Sequence, residues 1–206
     1  MMKRLTIFTF LCFLALFSFA QDDTDVFTRH EVSVGYGANP ISSMYWGSHI
    51  DYHFDKNKEF IGAFYATYTY RFTPVVGIGG TFAVDPRVHR YKDKATPGLG
   101  TIARVDQTAA SLLFHLKLNW LNRRVVTLYS KLGAGACFCG VFIKNNYPEL
   151  YEVDSNTSPI NFAYTIVPVG IEIGNKQYAG FLQIGLGMEG FISAGFRYGF
   201  KKTQRK

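Results

Sequence analysis

The stretch Ala110–Leu121, ASLLFHLKLNWL, splits cleanly when read at every second residue. Ala110, Leu112, Phe114, Leu116, Leu118 and Trp120 form one set, and Ser111, Leu113, His115, Lys117, Asn119 and Leu121 form the other. In a β-strand these sets point to opposite faces. One face is apolar and ends in Trp, while the other carries His, Lys and Asn. The alternation recurs along the chain, in 29–38, 59–72, 75–84, 107–121, 124–139, 161–173, 177–187 and 191–200. Each segment is near the length that crosses a bilayer at a tilt. No helical period competes with the alternation. Aromatic residues make up 17% of the chain and Gly 20 of its 206 residues, which favours strands with aromatic anchors over a helical bundle.

The connections sort by length. Thr73-Pro74, Asn122-Arg123 and Gly174-Asn175-Lys176 are tight turns made of the residues that tight turns favour. Between them lie long connections over 39–58, 85–106 and 140–160; the fourth, at Met188-Glu189-Gly190, is short. Up-and-down topology puts the tight turns at one end and the long loops at the other, the pattern of outer-membrane barrels. The expected fold is therefore all-β: a closed, eight-stranded, antiparallel, up-and-down transmembrane barrel. A lipocalin-like soluble barrel has the same strand count but turns its apolar face inward.

Here the apolar face reads as the outer one. It carries Val32, Phe64, Tyr68, Tyr70, Phe72, Ile78, Phe82, the Leu112–Trp120 set, Leu132, Val167, Val169, Ile173, Tyr178, Leu182, Tyr198 and Phe200. Aromatic residues gather beside the tight turns, as an interfacial girdle does. The opposite face carries Glu31, Arg71, His115, Lys117, Asn119, Lys131, Glu172 and Arg197, along with most of the strand glycines. Eight strands leave an interior just wide enough for side chains, so these residues are expected to form a paired polar network inside. Pro168 lies mid-strand without a donor and predicts a bulge, or a ladder position left free for another reason.

Lys3 and Arg4, the apolar run Leu5–Phe19 and small residues before Gln21 read as a secretory signal peptide over 1–20, cleaved after Ala20. The barrel then occupies 21–200, and the basic tail 201–206 hangs into the periplasm. Of 22 basic and 15 acidic residues, removing Lys3 and Arg4 leaves 20 against 15, a net charge of +5. An excess so small and dispersed argues against nucleic acid as a partner. Cys137 and Cys139, in ACFCG, read as free thiols: two positions apart on a strand they sit near the limit for a bridge, and alone they make a poor zinc site.

The segments RHEVSVGYG, YTYRFTPVVGIGGTFA, VTLYSKLGAGA and FAYTIVPVGIEIGN, with the signal peptide and an aromatic last strand, resemble the small outer-membrane β-barrel proteins of Bacteroidetes. The resemblance spans nearly the whole mature chain. It implies an outer-membrane location and no catalytic residues or cofactor, since the family shares no assigned activity. It also implies engagement by the barrel-assembly machinery. One departure is that KKTQRK follows Phe200, where such barrels commonly end on an aromatic residue.

Chemistry-bearing residues outside the strands are few. In SHIDYHFD, His49, Asp51, His53 and Asp55 alternate; their types suit a divalent metal or a hydrolytic site, although spacing alone specifies no nucleophile–base contact. The lipid A palmitoyltransferase and omptin barrels, whose catalytic residues lie at the outer rim, are the resemblance for that reading. Tyr45 and Trp46 read as membrane anchors or a glycan- or protein-binding patch. Arg87, Arg90 and Lys92 give the expected outer loop a basic character suited to lipopolysaccharide phosphates. The function expected is a non-enzymatic structural or surface-interaction barrel, with no metal or cofactor and with lipid and lipopolysaccharide as partners. A narrow porin-like channel is the alternative, and a rim enzyme acting on lipid or peptide the second.

Overall fold

Backbone pairing joins the alternating segments into one antiparallel cylinder. The computed structural model describes residues 27–42, 54–60, 62–93, 101–145 and 160–202. Within these lie β1 (Thr28–Ala38), β2 (Phe54–Phe60), β3 (Ala63–Arg71), β4 (Val76–Asp93) and β5 (Thr101–Asn122). They are followed by β6 (Val126–Asn145), β7 (Ile160–Gly174), β8 (Tyr178–Gly187) and β9 (Ile192–Lys202). The neighbour order is β2-β4-β3-β1-β9-β8-β7-β6-β5, and pairing of β4 with β5 closes the ring.

The nine segments make eight staves. β2 and β3 both pair with β4, from Phe60↔Arg87 upward and from Phe64↔Val84 downward. They are two halves of one stave, interrupted at Gly62, whose φ of 82° is open to glycine at little steric cost. Pro86, which has no N–H to donate, lies at the level of this interruption.

Local side chains shape the tight turns. Thr73 Oγ1 accepts from the backbone N–H groups of Val75 (3.2 Å) and Val76 (2.9 Å). Asn175 Oδ1 accepts from Gln177 (2.9 Å) and Tyr178 (2.6 Å). Such side-chain bonds replace backbone turn bonds and hold the chain in a sharp reversal.

The two faces separate by polarity as the alternation requires, with the apolar one outside. Exposed on the outer wall are Phe64, Tyr68, Phe82, Phe114, Leu132, Phe162, Leu182 and Phe196, among others. Phe114 is 78% exposed, a value with no place in a water-soluble core. From Ala110 to Trp120 the strand spans about 34 Å, or about 24 Å of height at a 45° tilt. That matches the roughly 25 Å apolar band of membrane barrels. Ring pairs at the tight-turn end link Tyr70 with Phe72, Tyr178 with Tyr198, and Tyr198 with Phe200. The interior holds two small apolar clusters; one is Tyr65, Ala83 and Phe181, the other is Ala109, Leu113, Cys137, Ala163 and Met188.

Two expectations are corrected. The long connection expected over 85–106 is mostly strand, since β4 continues to Asp93 and β5 starts at Thr101; β6 likewise runs to Asn145. Beyond the apolar band both faces of a strand can be polar, and in RVHRYKD charges fall on both parities, so alternation vanishes while backbone pairing persists. Val167, expected on the outer wall, is buried inside at 2% exposure. At Pro168 the register shifts against both neighbours, and Pro168 and Val169 are exposed in succession. The expected bulge is present, and it reverses the parity of every residue before it.

Candidate functional site

The interior is a column of ionisable and hydroxyl groups. Among the described residues its buried charges are Arg71, Arg87, Lys117, Lys131 and Arg197 against Glu31, Asp85, Glu172 and Glu189. Five cations face four carboxylates, and the geometry sorts them into three layers along the barrel.

The layer nearest the tight turns is a continuous network. Glu31 on β1 accepts from Arg71 (2.9 Å) and Lys117 (3.2 Å). Lys117 also reaches Glu172 on β7 at 2.5 Å, and Arg197 on β9 lies 2.9 Å from Glu172 and 3.6 Å from Glu31. Spare donors tie this layer to the turns: Arg71 donates to the Pro74 carbonyl, Asn119 to the same carbonyl at 3.3 Å, and Arg197 to the carbonyls of Lys176 and Asn175. Each buried ion therefore has an opposite charge or several donors around it, which a water-poor interior demands.

The middle layer centres on Glu189. Lys131 and Gln183 donate to Glu189 Oε2 at 2.5 and 2.6 Å. Gln183 is held in turn by Tyr129, which donates to its Oε1 at 2.9 Å, and donates to Tyr65 at 3.2 Å. His115 sits beside them, within hydrogen-bond reach of Thr69 (3.0 Å) and Thr81 (3.2 Å). Lys117 and Lys131 are directly paired on β5 and β6, a like-charge neighbourhood that the glutamates offset. Large rings fit because glycine stands opposite: a Cβ on Gly170 would lie 2.3 Å from the Tyr129 ring.

The outer layer is a plug. After Ala38, Asn39 takes a left-handed φ of 54° and the chain turns into the barrel. Ser42 donates to Asp85, and Arg87 bonds Asp85 (2.6 Å), the Pro40 carbonyl (3.1 Å) and Ser42 (3.2 Å). The turn Met188–Gly190 enters beside it; Gly190, at φ 95°, lies so close to Ala38 that a Cβ there would be 2.6 Å from its carbonyl oxygen. Between the layers, a cavity lined by Thr67, Thr69, Lys117, Tyr129, Lys131 and Glu172 has a volume near 20 Å³. That is room for about one water.

With this geometry in view, the chain can be set beside known proteins. No protein-family model and no curated protein matches it. Among solved structures it is similar to outer membrane protein AlkL, determined by solid-state NMR in DMPC lipid bilayers. The TM-score is 0.33 and the identity 10%, over 89% of this chain and 92% of that chain.

Of the residues singled out in the sequence, Glu31, Arg71, His115, Lys117, Asn119, Lys131, Glu172 and Arg197 all lie inside, at 7% exposure or less. Arg87 is a correction: expected on a basic outer loop, it is a buried strand residue in the plug. Its parity on β4 continues that of Thr81, Ala83 and Asp85, which carries it inward. Arg90 and Lys92 lie on β4, paired with Asn57 and Asp55. Tyr45, Trp46, His49, Asp51 and His53 lie outside the described residues, as do the signal segment 1–20 and residues 203–206. Glu189, Asp85 and Ser42 escaped the sequence reading. The signal for Glu189 was faint: a carboxylate between glycines in the one short connection of its end.

Proposed function

We propose that the chain is a non-enzymatic integral outer-membrane barrel, sealed to solutes, that serves as a scaffold for the segments at its long-loop end. The observation that carries this reading is the inverted polarity: aromatic and aliphatic side chains outside, ion pairs inside. Burying that wall in water-free lipid is favourable, whereas leaving it in water costs roughly 25 cal/mol per Å² of apolar surface. A seal is supported by the plug and by a residual cavity of about one water. A surface role is assigned to residues 43–53, 94–100 and 146–159, and lipopolysaccharide is the partner whose phosphates suit Arg90 and Lys92. The Bacteroidetes barrel resemblance and assembly by the barrel machinery belong to the same reading.

A narrow channel is the second reading, favoured by the column of ionisable groups running the length of the barrel. Planar-bilayer recording separates the two. The sealed barrel gives a heat-modifiable band in detergent and no conductance above the bare membrane. Steady conductance whose ion selectivity changes in Lys131→Glu establishes the channel instead. A chain that stays folded and monomeric in plain buffer removes both. A rim enzyme would rest on His49, Asp51 and His53 and would lose turnover in His49→Ala or His53→Ala while staying folded.

A further inference from the structure

The two thiols of ACFCG come together inside the barrel. Cys137 and Cys139 stand two positions apart on β6 and share its inner face. Both are free, and their sulfurs are 3.8 Å apart. Two sulfurs each bonded at about 2.3 Å to one metal ion, with a tetrahedral angle between them, are themselves about 3.8 Å apart. The pair therefore already has the spacing of a chelate.

A third sulfur-bearing residue belongs to the same cluster. Met188, from the turn between β8 and β9, shares one buried cluster with Cys137, and Cys139 packs against that cluster. The strand neighbours are small: Cys137 stands beside Ser111, and Cys139 beside Ala109. Asn161 on β7 pairs with Cys137 and donates to the sulfur of Cys139 at 3.5 Å. Such a bond orients a thiolate ligand from behind. The acidic neighbour, Asp85, is already neutralised by Arg87 at 2.6 Å.

The donor set decides the ion. Among the described residues no three His, Cys, Asp or Glu side chains gather in one place, so zinc lacks the four Cys, His or carboxylate ligands of its structural sites. Two thiolates and a thioether are soft donors, which select soft monovalent ions of low coordination number. We propose that Cys137, Cys139 and Met188 form a binding site for a soft monovalent metal ion, Cu(I) or Ag(I), in the outer half of the barrel. On binding, two S–H bonds give their protons to solvent, and three metal–sulfur bonds form, two to thiolates and one to the thioether. No electron is transferred. Cys139 is half-buried where Cys137 is fully buried, so the ion enters past Cys139.

The test uses the full mature chain, refolded in detergent under reductant and offered Cu(I) in competition with bathocuproine disulfonate. The expected result is about one Cu(I) held per chain by two thiolates. It is lost in Cys137→Ser and in Cys139→Ser, weakened in Met188→Leu, and weakened about tenfold in Asn161→Ala. Heat-modifiable gel migration checks that each variant is folded, and Ag(I) should displace the Cu(I). The proposal is overturned if folded, reduced wild type surrenders all Cu(I) to the chelator. It is equally overturned if either serine variant holds the ion as well as wild type, or if the chain carries a Cys137–Cys139 disulfide that reductant does not open. Unchanged affinity in Met188→Leu removes the thioether from the site.

Discussion

Lys131→Met is the most informative single change in the interior, because Lys131 and Lys117 are paired neighbours whose carboxylates are differently supported. Lys131 lies 2.5 Å from Glu189, and among the described residues Glu189 has no other cationic partner. Only the neutral Gln183 remains to it after the substitution, at 2.6 Å. Removing one member of a buried pair leaves an uncompensated charge and costs about 3–5 kcal/mol. Lys117→Met is milder. Glu31 keeps Arg71 at 2.9 Å and Glu172 keeps Arg197 at 2.9 Å, so the loss is about that of a charged hydrogen bond, 1.5–3 kcal/mol. The double variant Lys131→Met/Glu189→Gln removes both charges and recovers most of the loss, with a coupling energy of about 2 kcal/mol or more. Urea unfolding from lipid vesicles, followed by tryptophan fluorescence, measures all three. Lys117→Met proving the more damaging variant, or a double variant no more stable than Lys131→Met, would refute the three-layer account of the interior.

Two further outcomes follow from the wall and the bulge. Phe114→Arg, at the middle of the apolar band, should destabilise the folded barrel in vesicles by about 2–4 kcal/mol, whereas Phe200→Arg near the tight-turn girdle should cost about 0–1 kcal/mol. Equal costs at the two depths would mean that the band is not centred where Phe114 places it. Because the bulge at Pro168 reverses parity, a label on Val169→Cys should be quenched by lipid-borne quenchers while Val167→Cys stays protected. Quenching of both, the behaviour of a regular strand, would remove the bulge.

Much of this molecule is set by side-chain period alone. Leu112, Phe114 and Leu116 against His115 and Lys117 define two faces without any knowledge of neighbours, because a strand has no other way to place successive side chains. The turns at Thr73 and Asn175 are likewise local: each is held by hydrogen bonds within three residues. Where polarity stops alternating, the same reasoning loses its signal. The upper parts of β4, β5 and β6 are held by backbone hydrogen bonds to neighbouring strands, and a backbone bond leaves no trace in residue type. Val167 shows the limit from the other side: Pro168 announces a bulge, but which residues it turns inward depends on where β6 and β8 resume their register. The sequence by itself therefore determined the wall, the turns and the identity of most inward charges. The tertiary structure alone decided the pairing of those charges, the entry of Glu189, the burial of Arg87 and the gathering of Met188 and Cys137 into one buried cluster. These contacts join residues tens of positions apart, and they exist only once the cylinder closes and brings strands from opposite ends of the chain across one narrow interior.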